Sequence, residues 1–423
     1  MSQKVIGNTS GRVSDEDFKD AAKKNPKDFT RKRKMGFEEL MLFMLMNFKC
    51  TAQSALRRFF SGLGVSLFMR QQSFSEARYK IRHEAFQELF HLTGETMVEE
   101  LGNTWHGFRV LAFDGSKINL PSDDNLLAYF GANGRGAKSP QAQGSVCYDV
   151  LNDIVIDADI APLATCERTL ALSHIAHLVK TLPNEKKLAI FDRGYPSFDM
   201  IRTLEDNNFH YVMRVKKKFN SAIDSQTKTD GYVWLEKDVM TDGIKTKERI
   251  HTRVIKFMLD SGEQEVLITN ITDRRLGKNA FKKLYFMRWP VEIKYDTVKN
   301  KLEVENFTAR TVEGIKQDFF ATMYLVNVAA CCKYDAQAKI EVARCDKDNK
   351  YTYQANTNEL IGVLKDRFIM AFTQDDSDKQ MEIIRDIVDE ISLYVVPKRE
   401  GRSVPRNPNP RGVKFHHNRK SNC

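Results

Sequence analysis

KKLAIFDRGYPSFDMIRTLEDNNFHYVMRV, residues 186–215, changes its period twice. KKLAIFDRGYP reads as a strand whose centre, LAIF, is a continuous apolar run, SFDMIRTLEDNN as a helix, and FHYVMRVKKK as a strand again. Upstream, FRVLAFDGSKI, GSVCYDVLN and DIVIDADIAPL are three consecutive strands, rich in Val and Ile and broken by DG and ND turns. The helical segment ERTLALSHIAHLVKTL joins them to residue 186. This strand-strand-strand-helix-strand-helix order predicts an α/β core built on a mixed sheet.

Residues 220–275 break the alternation. VWLEKDVM, KERIHTRVIKFML and QEVLITNI read as further strands, forming a β-rich insertion between two α/β halves. Helices are expected again at 279–287, 290–303, 313–335, 357–372 and 377–395. Ahead of the core, residues 36–100 carry apolar residues at three- and four-residue spacing, as helices do. Residues 1–35 are polar, and 23–34 holds seven bases against the single acid Asp28. That run is either a solvated, mobile arm or a nucleic-acid contact. The last 27 residues, rich in Pro, Gly and bases, predict an extended basic tail.

With 423 residues, 42% hydrophobic and 29% charged, the chain has the composition of a globular protein of two or three domains. A net charge of +10 and a pI near 9.1 favour a polyanionic partner, nucleic acid before an acidic membrane. The N-terminal residues lack the apolar core of a signal peptide, and FFATMYLVNVAACC is too short and polar to span a bilayer. No membrane association and a cytoplasmic location are therefore expected. Seven cysteines without a CxxC spacing point to neither a zinc ribbon nor a disulfide framework.

Two acids follow apolar strands, Asp114 after VLAF and Asp192 after LAIF. Ligands of open α/β sheets gather at the carboxyl ends of strands, and paired carboxylates can bridge a hard cation. Asp-Gly and Asp-Arg-Gly are also ordinary turn signals. A third acid shifts the balance. Pro290 suits a helix start, which puts Glu292 in a first turn where the helix dipole favours a carboxylate. Lys299, seven positions on, would share its face roughly 10.5 Å along the axis. Arg288 and Tyr285 add a guanidinium fork and a hydroxyl for a nucleic acid strand, and Trp289 a flat face for an unstacked base. A helix laced with salt bridges would explain Glu292 and Lys299 but not Arg288, Trp289 and Pro290 together. Among the N-terminal helices, Arg78, Lys80 and Arg82 suit a helix-turn-helix-like reader, or a small bundle whose bases face water.

These residues carry a resemblance. The chain resembles the DDE transposases of bacterial insertion sequences, in the subgroup with a Tyr-x2-Arg-x3-Glu-x6-Lys signature, which Tyr285, Arg288, Glu292 and Lys299 fit without a gap. AFDGS gives the first family acid as Asp114 and IFDRGYP the second as Asp192, 78 residues on and 100 before Glu292.

The resemblance implies a ribonuclease-H-like fold with a β-rich insertion, an N-terminal helical domain and C-terminal helices. The corresponding layout is 1–104 for DNA-end binding, 105–219 and 276–335 for the catalytic core, 220–275 for the insertion, 336–396 for a C-terminal helical region and 397–423 for the tail. It further implies cut-and-paste transposition by two-metal phosphoryl transfer, with Asp114, Asp192 and Glu292 holding Mg2+ or, as a substitute, Mn2+. A hairpin end would place a flipped base against Trp289 or Trp234, the latter less favoured because a strand tryptophan is commonly core. The implied partners are double-stranded transposon ends, target DNA and a second copy of the chain, for which SDKQMEIIRDIVDEISLYVV offers a contact. The alternatives are a nuclease that cuts without joining and an inactive DNA-binding regulator.

Overall fold

The computed structural model describes residues 1–398 except 32, 66–68, 135, 137, 242–243, 260–261, 346–349, 373 and 375. Eight strands form one sheet: β1 (Arg109–Asn119), β2 (Gln141–Asp149), β3 (Ile154–Pro162), β4 (Lys187–Phe191), β5 (His210–Arg214), β6 (Asp230–Thr241), β7 (Ile244–Met258) and β8 (Gln264–Thr269). Their order is β3-β2-β1-β4-β5-β8-β7-β6. β1 pairs parallel to β4 with Ala112 opposite Ile190, and β4 parallel to β5 with Ile190 opposite Val212. The four-residue link from β2 to β3 can join only antiparallel neighbours. The expected α/β core on a mixed sheet is present.

The strands expected at 220–275 are present and join the sheet. β8 pairs antiparallel with β5, and β7 and β6 follow it antiparallel, so 230–269 prolongs the core sheet. The reason is that β5 has a second edge with unpaired backbone groups, and β8 satisfies it. LAIF is buried on both faces, as a central parallel strand must be. Val110, Leu188, Ile190, Val212, Ile255 and Leu267 form one face of the core, closed by Phe281, Leu284 and Tyr285 of the helix Lys278–Phe286.

The chain divides into two compact units, residues 101–116 with 143–295, and residues 1–100 with 117–142 and 296–423. This division cuts across the layout expected from the resemblance. The first unit holds nearly all of the sheet. The second is built around the 33-residue helix Val312–Arg344, which is buried on every side from Gly314 to Cys332 apart from Lys316. A helix that apolar all round has to lie inside a bundle, and it packs against helices Ser2–Val13, His83–Glu100 and Ser377–Leu393.

Two readings change locally. Residues 1–22 are no polar arm: helices Ser2–Val13 and Glu16–Ala22 bury Val5, Ile6, Val13 and Phe18. Few apolar residues suffice there because they fall at helical spacing. The helix expected over 290–303 runs only Trp289–Asp296 and then widens into a π turn, Thr297–Lys301. The basic tail falls almost wholly outside the described residues. No helix among them is long and apolar enough to cross a membrane.

Candidate active site

β1 continues to Asn119, so Asp114 does not close the strand; it lies two residues beyond the stretch paired to β4, which covers 109–112. Asp192 follows the last residue of β4. Extending the Ala112–Ile190 register by two residues sets Asp114 opposite Asp192 on neighbouring strands roughly 4.8 Å apart.

Their environments differ. Burial drives Asp114 up to about 6; Arg288 and the Gly115 N–H oppose it, while the charges of Glu292 and Glu167 add to it. Its carbonyl oxygen accepts from the Tyr295 hydroxyl at 2.9 Å, which fixes the backbone there. Burial also disfavours ionised Asp192, but the Arg193 backbone N–H at 2.7 Å, the Arg288 charge, the Tyr285 hydroxyl at 3.1 Å and the Arg214 charge together hold it below the usual carboxylate value.

Tyr285 lies in the last turn of its helix and Arg288 in the turn before the next one. That break sends the tyrosine to Asp192 and lets Arg288 Nη2 donate to Glu292 Oε1 at 2.9 Å. The Arg288 side chain is 11% exposed, and its charge reaches Asp114 and Asp192 as well as Glu292. Tyr285 and Arg288, expected as DNA contacts, are thus buried partners of the acids.

Trp289 is 59% exposed at the helix start. Trp234 is no core residue: it is 56% exposed on β6, tilted against His251 at 4.7 Å, with Tyr232 stacked on the same imidazole. Lys299 lies in the π turn, where Nζ donates to the Lys117 carbonyl at 2.6 Å. The shared helix face calculated for it assumed an unbroken α-helix and does not apply. Arg78 is buried, with four of its five N–H donors engaged by Gln317, Thr308, Gly314 and Asp318, which suits a structural partner better than a DNA contact. Lys80 borders a cavity of about 780 Å3 with Lys27, Arg31, Arg33, Lys34 and Arg70, opposed by Glu76. Arg82 is exposed and donates to the Lys23 carbonyl at 3.0 Å.

The acids offer only oxygen ligands, the donor type hard divalent cations take. Among the described residues, Asp114, Asp192 and Glu292 do not close into a set within 4.8 Å of one another. A two-ion site does not need that closure, since each ion is held by a pair of carboxylates. The Tyr195 hydroxyl is buried at the same place without a hydrogen-bond partner among the described residues, as is Arg288 Nε. Unpaired donors of this kind suit a centre that takes up ions with their water. The residues present fit divalent metal. Sequence reasoning missed Tyr195, Tyr295, Glu167 and the buried Arg214–Glu265 pair at 2.5 Å; only Tyr195, inside DRGYP, stood beside a recognised acid.

Asp114 and Asp192 thus follow the parallel-paired segments of two neighbouring strands, and Arg288 ties in Glu292, an oxygen-rich set of the kind divalent cations take. The transposase DDE domain family matches residues 105–328, more than half of the sequence, and the chain belongs to that family. It is 21% identical over 406 residues to the transposase InsG of insertion sequence element IS4 from Escherichia coli K12, covering 91% of this chain and 88% of that protein. A solved piggyBac transposase synaptic complex with hairpin DNA matches with a TM-score of 0.49 and 11% identity over 94% of this chain and 87% of that one, too slight a likeness to define the fold. The chain is accordingly a DNA-binding transposase that uses divalent metal.

Proposed function

We propose that this transposase cuts and joins DNA at insertion-sequence ends by two-metal phosphoryl transfer, with Asp114, Asp192 and Glu292 as the residues that would hold the Mg2+ ions. One observation supports it above the rest: the parallel register of β1 and β4, continued by two residues, would set Asp114 level with Asp192, and Arg288, whose charge acts on both, donates to Glu292. Bound ions supply charge stabilisation for the attacking and leaving oxygens of an in-line displacement. Tyr285 keeps Asp192 ionised, and Arg288 holds the three acids together before DNA arrives and offers a guanidinium to phosphate afterwards. We assign Tyr285, Arg288, Glu292 and Lys299 to the subgroup carrying that signature. Exposed Trp289 and Trp234 suit stacking on an unpaired base, as a hairpin end would require.

End binding falls to the N-terminal helices of residues 1–104, where the basic cavity edged by Lys80, with Arg82 outside it, is a footprint for phosphates. Joining two ends calls for two copies of the chain, and the cytoplasm supplies both DNA and Mg2+.

A pre-cut inverted-repeat end incubated with supercoiled target and Mg2+ tests the reading. Joined product supports it. Cleavage of intact ends with no joining leaves a nuclease, and binding without either reaction leaves a regulator.

A further inference from the structure

A fourth carboxylate reaches the same place from an element that none of the three acids occupies. Glu167 is the first residue of the helix Glu167–Thr181, which follows β3. Its side chain lies against two glycines that neighbour the catalytic aspartates in sequence. A Cβ on Gly115, next to Asp114, would fall 2.9 Å from Glu167 Oε1, and a Cβ on Gly194, two residues after Asp192, would fall 3.7 Å from Oε2. The carboxylate therefore spans the gap between the ends of β1 and β4, one oxygen toward each.

Neither usual structural duty accounts for it. As a first-turn acid it gains from the helix dipole, but that needs only a charge facing solvent. Its one hydrogen-bond donor is the buried Gln143 amide at a long 3.4 Å, a group that also donates to the Gly144 carbonyl at 3.3 Å. Arg168, its neighbour, turns away and donates to the Gly194 carbonyl at 3.2 Å. A second observation points to a ligand here. The Tyr195 side chain, with the residue only 2% exposed, ends in a hydroxyl that no described residue pairs, and Glu167 is the charge that acts on it most strongly, ahead of Asp114, Arg288 and Asp192. A buried donor left open beside a weakly bonded carboxylate is costly unless a further group completes both.

We propose that Glu167 is a metal-ligating residue of the transposase centre, giving a fourth carboxylate to a divalent ion bound between Asp114 and Asp192. The inference rests on the two-aspartate metal site proposed above. Gly115 then has a steric purpose: any side chain there would push the Gln143 and Glu167 tips, 2.8 and 2.9 Å from its Cβ, out of the gap.

Mn2+ titrated into the full-length chain without DNA, followed by the loss of free-ion signal in electron paramagnetic resonance, reads the site directly. Glu167→Gln keeps the shape and removes the charge, and should weaken Mn2+ binding about tenfold or more. Gly115→Ala displaces only flexible side-chain ends, leaves Asp114 in place and should shift affinity in the same direction. Both variants should match the wild type in thermal unfolding with chelator, and if Glu167→Gln does not fold, Gly115→Ala decides. Wild-type Mn2+ affinity in the folded variants, with binding lost in Asp114→Asn, would overturn the role of Glu167 alone. Unchanged affinity in Asp114→Asn would overturn the two-aspartate site and this inference with it.

Discussion

Arg78 and Arg288, one in each compact unit, both lie largely withdrawn from solvent beside carboxylates, and they are treated in opposite ways. Arg78 is nearly saturated: Nε donates to Gln317 at 2.8 Å, Nη1 to Thr308 at 2.6 Å, and Nη2 to the Gly314 carbonyl at 2.7 Å and to Asp318 at 2.8 Å. Asp318 is completed in turn by the Thr308 backbone and hydroxyl. Arg288 has one hydrogen bond to Glu292, an Nε without a partner among the described residues, and several carboxylates around it. A finished network rigidifies a bundle, whereas an unfinished one keeps donors and charges for a ligand. At these two clusters the difference lies in how far the guanidinium is bonded, not in its charge.

Substitutions at the two clusters should therefore fail differently. Asp114→Asn should lower cleavage of an end-bearing DNA on the order of a thousandfold, since several kcal/mol of charge stabilisation disappear. Its unfolding temperature in chelator should stay level or rise, because one of several crowded negative charges is gone; a marked fall would make Asp114 part of the scaffold. Arg78→Leu should do the reverse, costing about 3–5 kcal/mol in urea unfolding by leaving Asp318 buried and uncompensated. A loss below about 1 kcal/mol would dissolve the contrast.

Tyr285→Phe removes the hydroxyl from Asp192 and should cost about 1 kcal/mol, seen as a several-fold higher Mg2+ requirement for cleavage with little change in melting. An unchanged Mg2+ requirement would reduce Tyr285 to packing. The smallest effect concerns acid. Burial alone would raise Glu313, but the His83 side chain and backbone N–H, the His83 charge and Lys24 outweigh it and hold Glu313 down at about 2. A carboxyl depressed in this way stabilises the fold above its ordinary value of 4.5, and that contribution is lost as pH falls from 4.5 toward 2. Glu313→Gln should flatten the acid limb of the melting-temperature profile over that window; an unaltered limb would show that the pairing does not survive in solution.

How much of this was legible depends on whether the signal is local. LAIF and VLAF announce buried strands because parallel central strands must be apolar on both faces, and the acids after them stand out against that run. Arg78 was misread because a base on a short helix looks the same whether it meets water or an aspartate 240 residues away. The widening at Thr297 left no mark, since the charge spacing of Glu292 and Lys299 fits an unbroken helix equally well. Trp234 is exposed because β6 lies at the sheet's outer edge, a fact fixed by strand order and not by its neighbours in sequence. Glu167 looks like any first-turn acid until Gly115 is seen to make room for it.

The order in which the strands pair also governs when the protein can become dangerous to its own genome. β1 cannot meet its parallel neighbour until β4 has been made, and the third acid arrives 178 residues after the first. At a synthesis rate of about 5–20 residues per second, a nascent chain carries Asp114 for roughly 10–40 s before Glu292 exists. On the proposed three-acid site, the growing polypeptide would be harmless to DNA throughout translation of the sheet, and strand breakage would become available only after residue 292 has been added.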